Sequence, residues 1–276
     1  MEVRQLEERD REQVEALLAR NPIRNLFVAS RVEATRLQPG RNGWTLWGCL
    51  EDGELISALH VGNNLVPVEA TDAALKAFSR VLTRRRESQS IVGAQEQVMA
   101  LYELLIRRWG SEWRAPRDVR AHQPVMLIQE DPKFPGDERI HQVQRRDGDD
   151  YFDAAVAMYQ EEVGGDPTED GYSYRRYVQM LITAGRAFGA LDEKGVWFKS
   201  DLGVVRGNSA QIQGVWLRPA LRGQGLSVPA LAQVVKLARR EYPTLSLYVN
   251  DFNVRAIRAY EHVGFKQVDE FATILY

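Results

Sequence analysis

Two segments in different halves of the sequence resemble each other and limit the folds open to the chain. The segment WGCLEDGELISALHVG, from Trp47 to Gly62, is similar to FGALDEKGVWFKSDLG, from Phe188 to Gly203. Both predict a β-hairpin with an acidic turn that contains glycine. Upstream of the hairpins, residues 3–20 and 143–159 each predict a short strand, an acidic turn and an amphipathic helix. The order of elements in one half therefore recurs in the other.

The segment between the halves, Gln129 to Arg139, contains two prolines, a glycine and mixed charges that interrupt any periodicity. We interpret it as a linker between two domains, residues 1–128 and 140–276, because a chain of 276 residues is long enough for two cores. Strands that alternate with helices predict an α/β (α+β) fold produced by tandem duplication. Chance similarity between two series of strand, helix and hairpin is the alternative.

The composition excludes several classes of function. The chain has 36 Lys and Arg against 38 Asp and Glu, a net charge of −2, so it lacks the positive field that nucleic-acid binding needs. Cys49 is the one cysteine and the 4 histidines are scattered, so no metal site can be read. The N-terminal segment is charged throughout, and no apolar run reaches the roughly 18 residues that cross a bilayer. We expect a cytoplasmic protein without nucleic-acid or membrane partners.

The two halves differ at one connection between a strand and a helix. In the first half, residues 66–70 lead directly into a helix at Thr71, whereas the second half inserts the loop LRPALRGQGLS at residues 217–227. The loop has neither the Gly-Lys-Ser/Thr of a Walker loop nor the strand context of a dinucleotide-binding unit. The first half therefore lacks a loop that the second half has.

This glycine loop, Arg222 to Val228, has the features of an anion site. Gly223 and Gly225 admit backbone conformations closed to other residues. Consecutive N–H groups, together with the positive end of the following helix, attract an anion such as a pyrophosphate, and Arg222 adds a full charge. We expect Ser227 to cap that helix. An ordinary turn between a strand and a helix is the alternative.

A second pattern lies further along the chain, where residues 245–249 predict a strand followed by a helix. Asn253, Ala256 and Tyr260 fall on one face of that helix, and Gly264 ends it. A small residue between an amide and a phenol leaves room for a narrow ligand. The alternative is that Tyr260 belongs to the core and Asn253 only caps the helix.

Together the two patterns resemble the GNAT superfamily of N-acetyltransferases. The family's acyl-CoA loop, Arg/Gln-x-x-Gly-x-Gly/Ala, is similar to the segment from Arg222 to Ser227, and its Asn-x-x-Ala-x-x-x-Tyr-x-x-x-Gly-Phe pattern is complete from Asn253 to Phe265. The resemblance covers residues 140–276. The whole chain is also similar to actinobacterial two-domain acetyltransferases with an N-terminal domain of unknown function, through residues 161–167 and 247–253.

The resemblance implies a mixed, mostly antiparallel sheet flanked by helices in each of two tandem domains, the first of them degenerate. It also implies acetyl-CoA or another acyl-CoA as co-substrate, and no metal. From the resemblance we expect the pantetheine arm to contact Val215, Trp216 and Leu217. The pyrophosphate is expected to bind the amides of Gly223, Gln224, Gly225, Leu226, Ser227 and Val228. The side chains of Asn253 and Tyr260 are expected to reach toward the cofactor. Gln211 lies near the position where some relatives carry a glutamate base, so that role is unfilled on this strand.

Acyl transfer to an amine requires that the amine lose a proton and that the departing thiolate be stabilised. Tyr260 is the candidate general acid, because a phenol with a pKa near 10 stays protonated at neutral pH. For the base, Glu161, Glu162 and Asp166 are candidates, with a chain of waters as an alternative; we select Glu162. A solvated acidic helix end is the other interpretation. Lys199 and Asp201 predict an ion pair on one face of a strand.

These observations predict an N-acetyltransferase that moves an acetyl or other short acyl group from CoA to a primary amine. The acceptor is either a small molecule or a protein or peptide amine, and neither the acceptor nor the oligomeric state can be read from the sequence. A sensor of acyl-CoA without turnover is the alternative, since no glutamate lies on the central strand.

Overall fold

The structure, a computed structural model, describes residues 1–38, 43–169 and 171–276. The strands are β1 (Glu2–Gln5), β2 (Thr45–Glu51), β3 (Glu54–Val61), β4 (Asn64–Val68), β5 (Ser90–Ala94), β6 (Asp118–Ile128), β7 (His141–Gln142), β8 (Ala187–Asp192), β9 (Gly195–Arg206), β10 (Ser209–Leu217), β11 (Thr244–Tyr248) and β12 (Lys266–Leu275). The helices are α1 (Arg11–Leu18), α2 (Leu26–Ala34), α3 (Asp72–Val81), α4 (Gln95–Trp109), α5 (Ser111–Arg114), α6 (Gly148–Val163), α7 (Ser173–Thr183), α8 (Ser227–Ala238) and α9 (Val254–Val263).

The chain folds into two compact units. The first comprises residues 1–125, 248–252 and 268–276, and the second comprises residues 126–247 and 253–267. This division differs from the boundaries expected from the sequence, because two segments from the C-terminal half lie in the first unit. The physical reason is the pairing of their backbone with strands of that unit.

The sheet of the first unit is mostly antiparallel. β1 pairs with β2, β2 with β3 and β3 with β4, all antiparallel, while β4 and β5 are parallel. The predicted hairpin from Trp47 to Gly62 is therefore present as β2 and β3. On the other edge of β5 lies β12, antiparallel, with Phe271 opposite Ala94. The last strand of the chain thus belongs to the sheet of the first unit.

Helices cover both faces of this sheet. On one face, Val14, Leu17 and Leu18 of α1 are buried with side chains of α2, as the periodicity predicts. On the other face, α3 and α4 pack over β3, β4 and β5, and Ala272 and Ile274 of β12 are fully buried in that cluster. Strand β12 is therefore part of the core of the first unit as well as of its sheet.

The second unit repeats the sequence of pairings of the first. β7, β8, β9 and β10 pair in order and antiparallel, and β10 and β11 are parallel. The predicted hairpin from Phe188 to Gly203 is present as β8 and β9. Two helices, α6 and α7, precede β8, and α8 connects β10 to β11. The same order of strands and helices in both units confirms the predicted fold class and supports the duplication.

Each helix of the second unit buries the face that its sequence favours. Along α8, the apolar residues that recur at helical spacing are all buried: Leu231, Val234, Val235 and Ala238. On α6, the buried residues include Tyr151, Phe152 and Ala155, whereas Val156 and Tyr159 are only partly buried. Most of the buried residues of α6 therefore lie in its N-terminal half.

Residues 129–139 contain neither helix nor strand, as the composition predicts. The segment is nevertheless packed into the second unit. The N–H of Lys133 donates to the carbonyl of Val263, and the N–H of Asp137 donates to the carbonyl of Pro229. The Arg139 guanidinium lies over the Trp197 ring, 4.8 Å from its centroid. The predicted linker is thus held by specific contacts along its length.

Candidate functional site

The glycine loop connects β10 to α8, and two of its residues adopt left-handed backbone conformations. Gly223 has φ +79° and Gly225 has φ +74°, and no heavy atom lies within 4 Å of the place where a Cβ would be at either position. Residues other than glycine are strained at such angles. Glycine is required here by the backbone conformation, and the surrounding space is open enough for a ligand to approach the main chain.

The amides of this loop are available to a ligand. Among the described backbone hydrogen bonds, none uses an N–H from Gly223 to Val228 as donor. The loop leads into α8, whose N-cap is Leu226 and whose first turn receives no side-chain cap. The prediction that Ser227 caps the helix is wrong, because Ser227 is itself the first helical residue. Its hydroxyl is therefore not used to satisfy the helix end.

Arg222 is held at the loop by the C-terminal end of α6. Its Nη2 lies 2.6 Å from Glu161 Oε2, and its Nε donates to the carbonyl of Leu217 at 2.9 Å. The other carboxylate oxygen of Glu161 accepts from Trp216 Nε1 at 3.1 Å. Glu161 thus connects β10 to the loop arginine. Nothing in the sequence pattern indicated this pairing, which joins residues far apart in the chain.

The strand before the loop has an open edge. Among the described residues, the parallel pairing of β10 with β11 runs from Ser209 to Gln211, opposite Thr244 to Ser246. Beyond Gln211, the pairing given for β10 is with β9, up to Leu217 opposite Phe198. Val215, Trp216 and Leu217, the residues predicted to bind a pantetheine arm, lie in this part of the strand. The separation of the two parallel strands leaves backbone groups that an extended ligand can pair with.

The second predicted pattern forms α9. Asn253 is the N-cap, and its Oδ1 accepts from the N–H of Ala256 at 3.2 Å, so the capping interpretation of this residue is observed. Gly264 ends the helix with φ +122°. The Asn253 amide nitrogen is not used by the cap, so a contact of this residue with a cofactor stays a prediction.

Tyr260 lies on the inner side of α9 and is 9% exposed. Its ring packs beside that of Phe265, with 6.1 Å between centroids. Burial raises the pKa of Tyr260, and the nearby charge of Glu162 raises it further. The phenol therefore keeps its proton across the neutral range, as a hydrogen-bond donor must. Its raised pKa also makes complete transfer of that proton to a thiolate less favourable.

The three candidate bases have different surroundings. Glu161 is engaged by Arg222 and Trp216, as described above. Asp166 accepts two hydrogen bonds from Thr168, which lower the pKa of the carboxyl, in a turn that faces solvent. Glu162 is exposed, and its charge raises the pKa values of two tyrosines, the half-buried Tyr174 and the buried Tyr260. Of the three, Glu162 is the one whose charge raises the pKa of the predicted acid, Tyr260.

Gln211 is buried on β10, at the position where the resemblance expects a carboxylate. Its neighbour Gln213 donates to the hydroxyl of Tyr177 on α7. No carboxylate therefore projects from the central part of β10. Within residues 1–38, 43–169 and 171–276, no group of three or more His, Cys, Asp or Glu could hold a metal ion. None of the helices that the structure describes is both long and apolar enough to cross a membrane.

This arrangement places an open strand edge, a left-handed glycine loop and a helix N-terminus in succession within an α/β fold. The sequence profile of the acetyltransferase (GNAT) family matches residues 149–265. Residues 44–151 match a domain of unknown function, DUF4081. The chain thus carries a GNAT-family domain preceded by that domain, which confirms the resemblance stated from its motifs. No curated protein sequence matches the chain.

Solved structures share the fold over the full chain. A Drosophila protein from a structural genomics consortium matches with a TM-score of 0.65 and 14% identity, over 99% of this chain and 98% of that one. A GNAT-family acetyltransferase from Colwellia psychrerythraea matches with a TM-score of 0.58 and 12% identity over 100% of both chains. A tandem GNAT protein from the clavulanic acid biosynthesis pathway matches with a TM-score of 0.58 and 14% identity, over 99% and 98%. At these low sequence identities, the comparisons show that the fold is shared.

Proposed function

We propose that the second unit binds an acyl-CoA, with acetyl-CoA as the first choice, and transfers the acyl group to a primary amine. The observation that carries this proposal is the run of unbonded amides from Gly223 to Val228 at the N-terminus of α8, beside Arg222. A doubly charged pyrophosphate is the ligand that such a set of donors and such a helix end favour. The match of residues 149–265 to acetyltransferases supports the same choice.

The open edge of β10 is the proposed site for the pantetheine arm. Val215 and Leu217 would pair their backbone with the amide groups of that arm, as an added strand does. The direction of β10 leads from this edge into the glycine loop, so one extended molecule can reach both. Asn253 would contribute its free amide nitrogen from the start of α9. The thioester of the bound acyl-CoA supplies the electrophilic carbonyl.

Two side chains would act on protons. An amine with a pKa of about 10.4 must lose a proton before it attacks, and we assign the acceptance of that proton to Glu162, directly or through water. We assign the stabilisation of the leaving sulfur, whose thiol pKa is about 8.5, to the phenol of Tyr260. Because the pKa of Tyr260 is raised, its contribution is mainly a hydrogen bond to the developing thiolate, which then takes up a proton and leaves as the product thiol.

A sensor that binds acyl-CoA without turnover is the second candidate. The observation that favours it is the glutamine at position 211, which leaves β10 without a carboxylate. Both candidates require the same cofactor site and differ only in acyl transfer. Neither identifies the acceptor, which is either a small-molecule amine or the amine of a protein or peptide.

The test has two parts on the full chain. Isothermal titration with acetyl-CoA should give about one site per chain, because the first unit has no equivalent loop between β4 and α3. A screen of amine acceptors with labelled acetyl-CoA should then find a labelled product. Binding without transfer to any acceptor would favour the sensor, and the absence of binding would overturn both candidates.

A further inference from the structure

A buried ion pair lies beneath β10 in the second unit. Lys199 and Asp201, two residues apart on β9, point to the side of α6, and Lys199 Nζ lies 2.6 Å from Asp201 Oδ2. The side chains of Lys199 and Asp201 are 0% and 7% exposed. Tyr151 of α6, also fully buried, donates its hydroxyl to Asp201 Oδ1 at 2.7 Å. The predicted ion pair is therefore present, but inside the core.

The ammonium group makes one more hydrogen bond, and this one reaches the neighbouring strand. Lys199 Nζ donates to the carbonyl of Gly214 at 3.0 Å. The pairing of β10 with β9 is irregular between Gln213 and Trp216, so Gly214 occupies a bulge. Its φ is +58°, and a Cβ there would lie 2.8 Å from Lys199 Nζ. Lys199 thus fixes a carbonyl that the ladder between strands does not use.

Stability alone does not explain such a pair. Removing two charges from water is costly, and apolar residues of similar volume often replace buried ion pairs without loss of stability. Apolar groups lie beside the pair: Lys199 Nζ is 5.3 Å from the centroid of the Tyr151 ring, and Met158 lies close to Gly214. What the pair provides, and apolar residues cannot, is a donor aimed at the Gly214 carbonyl.

The bulge immediately precedes the open edge of β10. Val215, Trp216 and Leu217 follow it directly, and the direction of their peptide groups depends on how the Gly214 peptide is oriented. The side chains of the pair are shielded from solvent, and the contact of Lys199 with β10 is to the Gly214 carbonyl. Its influence on a ligand would therefore pass through the strand.

We infer that Lys199 and Asp201 are positioning residues: by fixing the Gly214 carbonyl they set the backbone of Val215 to Leu217 for pairing with the pantetheine arm of acyl-CoA. This inference rests on the proposed function and adds to it a specific support for one part of the ligand. Tyr151 completes the device, because its hydrogen bond fixes the Asp201 carboxylate. Burial and the charge of Asp201 raise the pKa of Tyr151, so that it stays a donor.

The test compares two ligands on the full chain, acetyl-CoA and its nucleotide half, 3′-phospho-ADP, which lacks the pantetheine arm. The variant is Lys199→Met/Asp201→Asn, which removes both charges and retains the volume. We expect its affinity for acetyl-CoA to fall at least about tenfold, while its affinity for 3′-phospho-ADP stays within about twofold. Hydrogen exchange of residues 209–217 should become faster in the variant.

A matched control breaks an ion pair of the first unit. Arg4→Met removes the partner of Asp10, which lies 2.8 Å away and is also poorly exposed, and should leave both affinities unchanged. If the double variant fails to fold, Tyr151→Phe removes a single hydrogen bond and should weaken acetyl-CoA about two- to threefold with no effect on the nucleotide. Equal losses for both ligands, or no loss for either, would overturn the positioning role while leaving the proposed function in place. A wild-type chain that binds neither ligand would overturn the proposed function and this inference with it.

Discussion

Arg222 Nη2 and Glu161 Oε2 lie 2.6 Å apart, so the arginine of the glycine loop already has an anionic partner. A pyrophosphate at the loop would compete with this carboxylate for the guanidinium. Both side chains are about two-fifths exposed, and such pairs contribute less than about 1 kcal/mol. We therefore predict that Glu161→Gln strengthens acetyl-CoA binding about two- to fivefold by titration calorimetry. The control is Asp153→Asn, which removes one negative charge from an exposed position on α6 and should leave the affinity unchanged. Weaker binding in Glu161→Gln would show instead that Glu161 orients Arg222 for the ligand.

The left-handed conformation of Gly225 leads to a second prediction. Gly225→Ala should cost about 1–2 kcal/mol of strain, and the loop should relax by turning its amides away, so that acetyl-CoA affinity falls about tenfold. Gly207→Ala is the control, because Gly207 has φ +51° and open space in the turn between β9 and β10. Both variants should lose similar stability in urea. Equal affinity in the two variants would remove the loop from the binding site.

Tyr260 leads to a third prediction. Tyr260→Phe should preserve acetyl-CoA binding and lower turnover by roughly 10²- to 10⁴-fold, the range for a lost acid or base. Tyr242→Phe is the control, because Tyr242 is similarly buried and its hydroxyl bonds Glu241 at the surface. The measurement is kcat with an acceptor found in the screen. An unchanged kcat would mean that Tyr260 serves only in packing.

His60 gives the first unit a defined dependence on pH. It is 3% exposed, stacks on Trp44 with 5.2 Å between centroids, and donates from Nδ1 to the Asn64 carbonyl. Burial, with a smaller effect from the charge of Arg31, lowers the pKa of His60 from 6.5 to about 4. Between pH 6.5 and about 4, His60 is therefore protonated in the unfolded chain and neutral in the folded chain. The free energy of unfolding falls as the pH falls through this range.

The size of that loss is about 3 kcal/mol, because folding lowers the pKa of His60 from 6.5 to about 4. We predict that His60→Phe removes this part of the pH dependence of unfolding in urea. His262→Gln, a change at an exposed histidine, should leave the dependence as it is. If the free energy of unfolding falls equally between pH 6.5 and 4 in His60→Phe and in the wild type, the assignment to His60 is contradicted.

A fifth prediction concerns β12. Ala272 is fully buried in the first unit, opposite Gly93 of β5, so Ala272→Asp places an unpaired carboxylate in that core. We expect a loss of at least about 3 kcal/mol, seen as faster hydrogen exchange of β4 and β5. Val268→Asp is the control, because Val268 is on the same strand and 52% exposed. Protection of β5 that is equal in the two variants would show that β12 is dispensable for the first unit.

The elements were predictable where the signal was local. The two hairpins, the helix α8 and the end of α9 at Gly264 follow from periodicity and from residues within a few positions of each other. The left-handed glycines were predictable for the same reason. The start of α8 was not, because the N-cap is Leu226 and not the predicted Ser227, and the exact start of a helix depends on the loop that enters it.

The parts that could not be predicted depend on pairing between distant residues. Glu161 is 61 positions from Arg222, and nothing near either residue marks it as the partner. The burial of Lys199 could not be foreseen, because an alternating strand is equally compatible with a surface ion pair. The pairing of β12 with β5 could not be predicted either, because the sequence of β12 is that of an ordinary strand and does not indicate which strand lies beside it.

That choice has a consequence for how the protein is made. The ribosome must synthesise all of residues 95–265 after β5 before its neighbour β12 exists. Domains usually fold in order as they emerge during synthesis. Here the N-terminal unit has an unpaired strand edge and an uncovered part of its core until residues 266–275 have been synthesised, so it cannot mature first. The first unit can therefore mature only after the residues of the second unit have been synthesised.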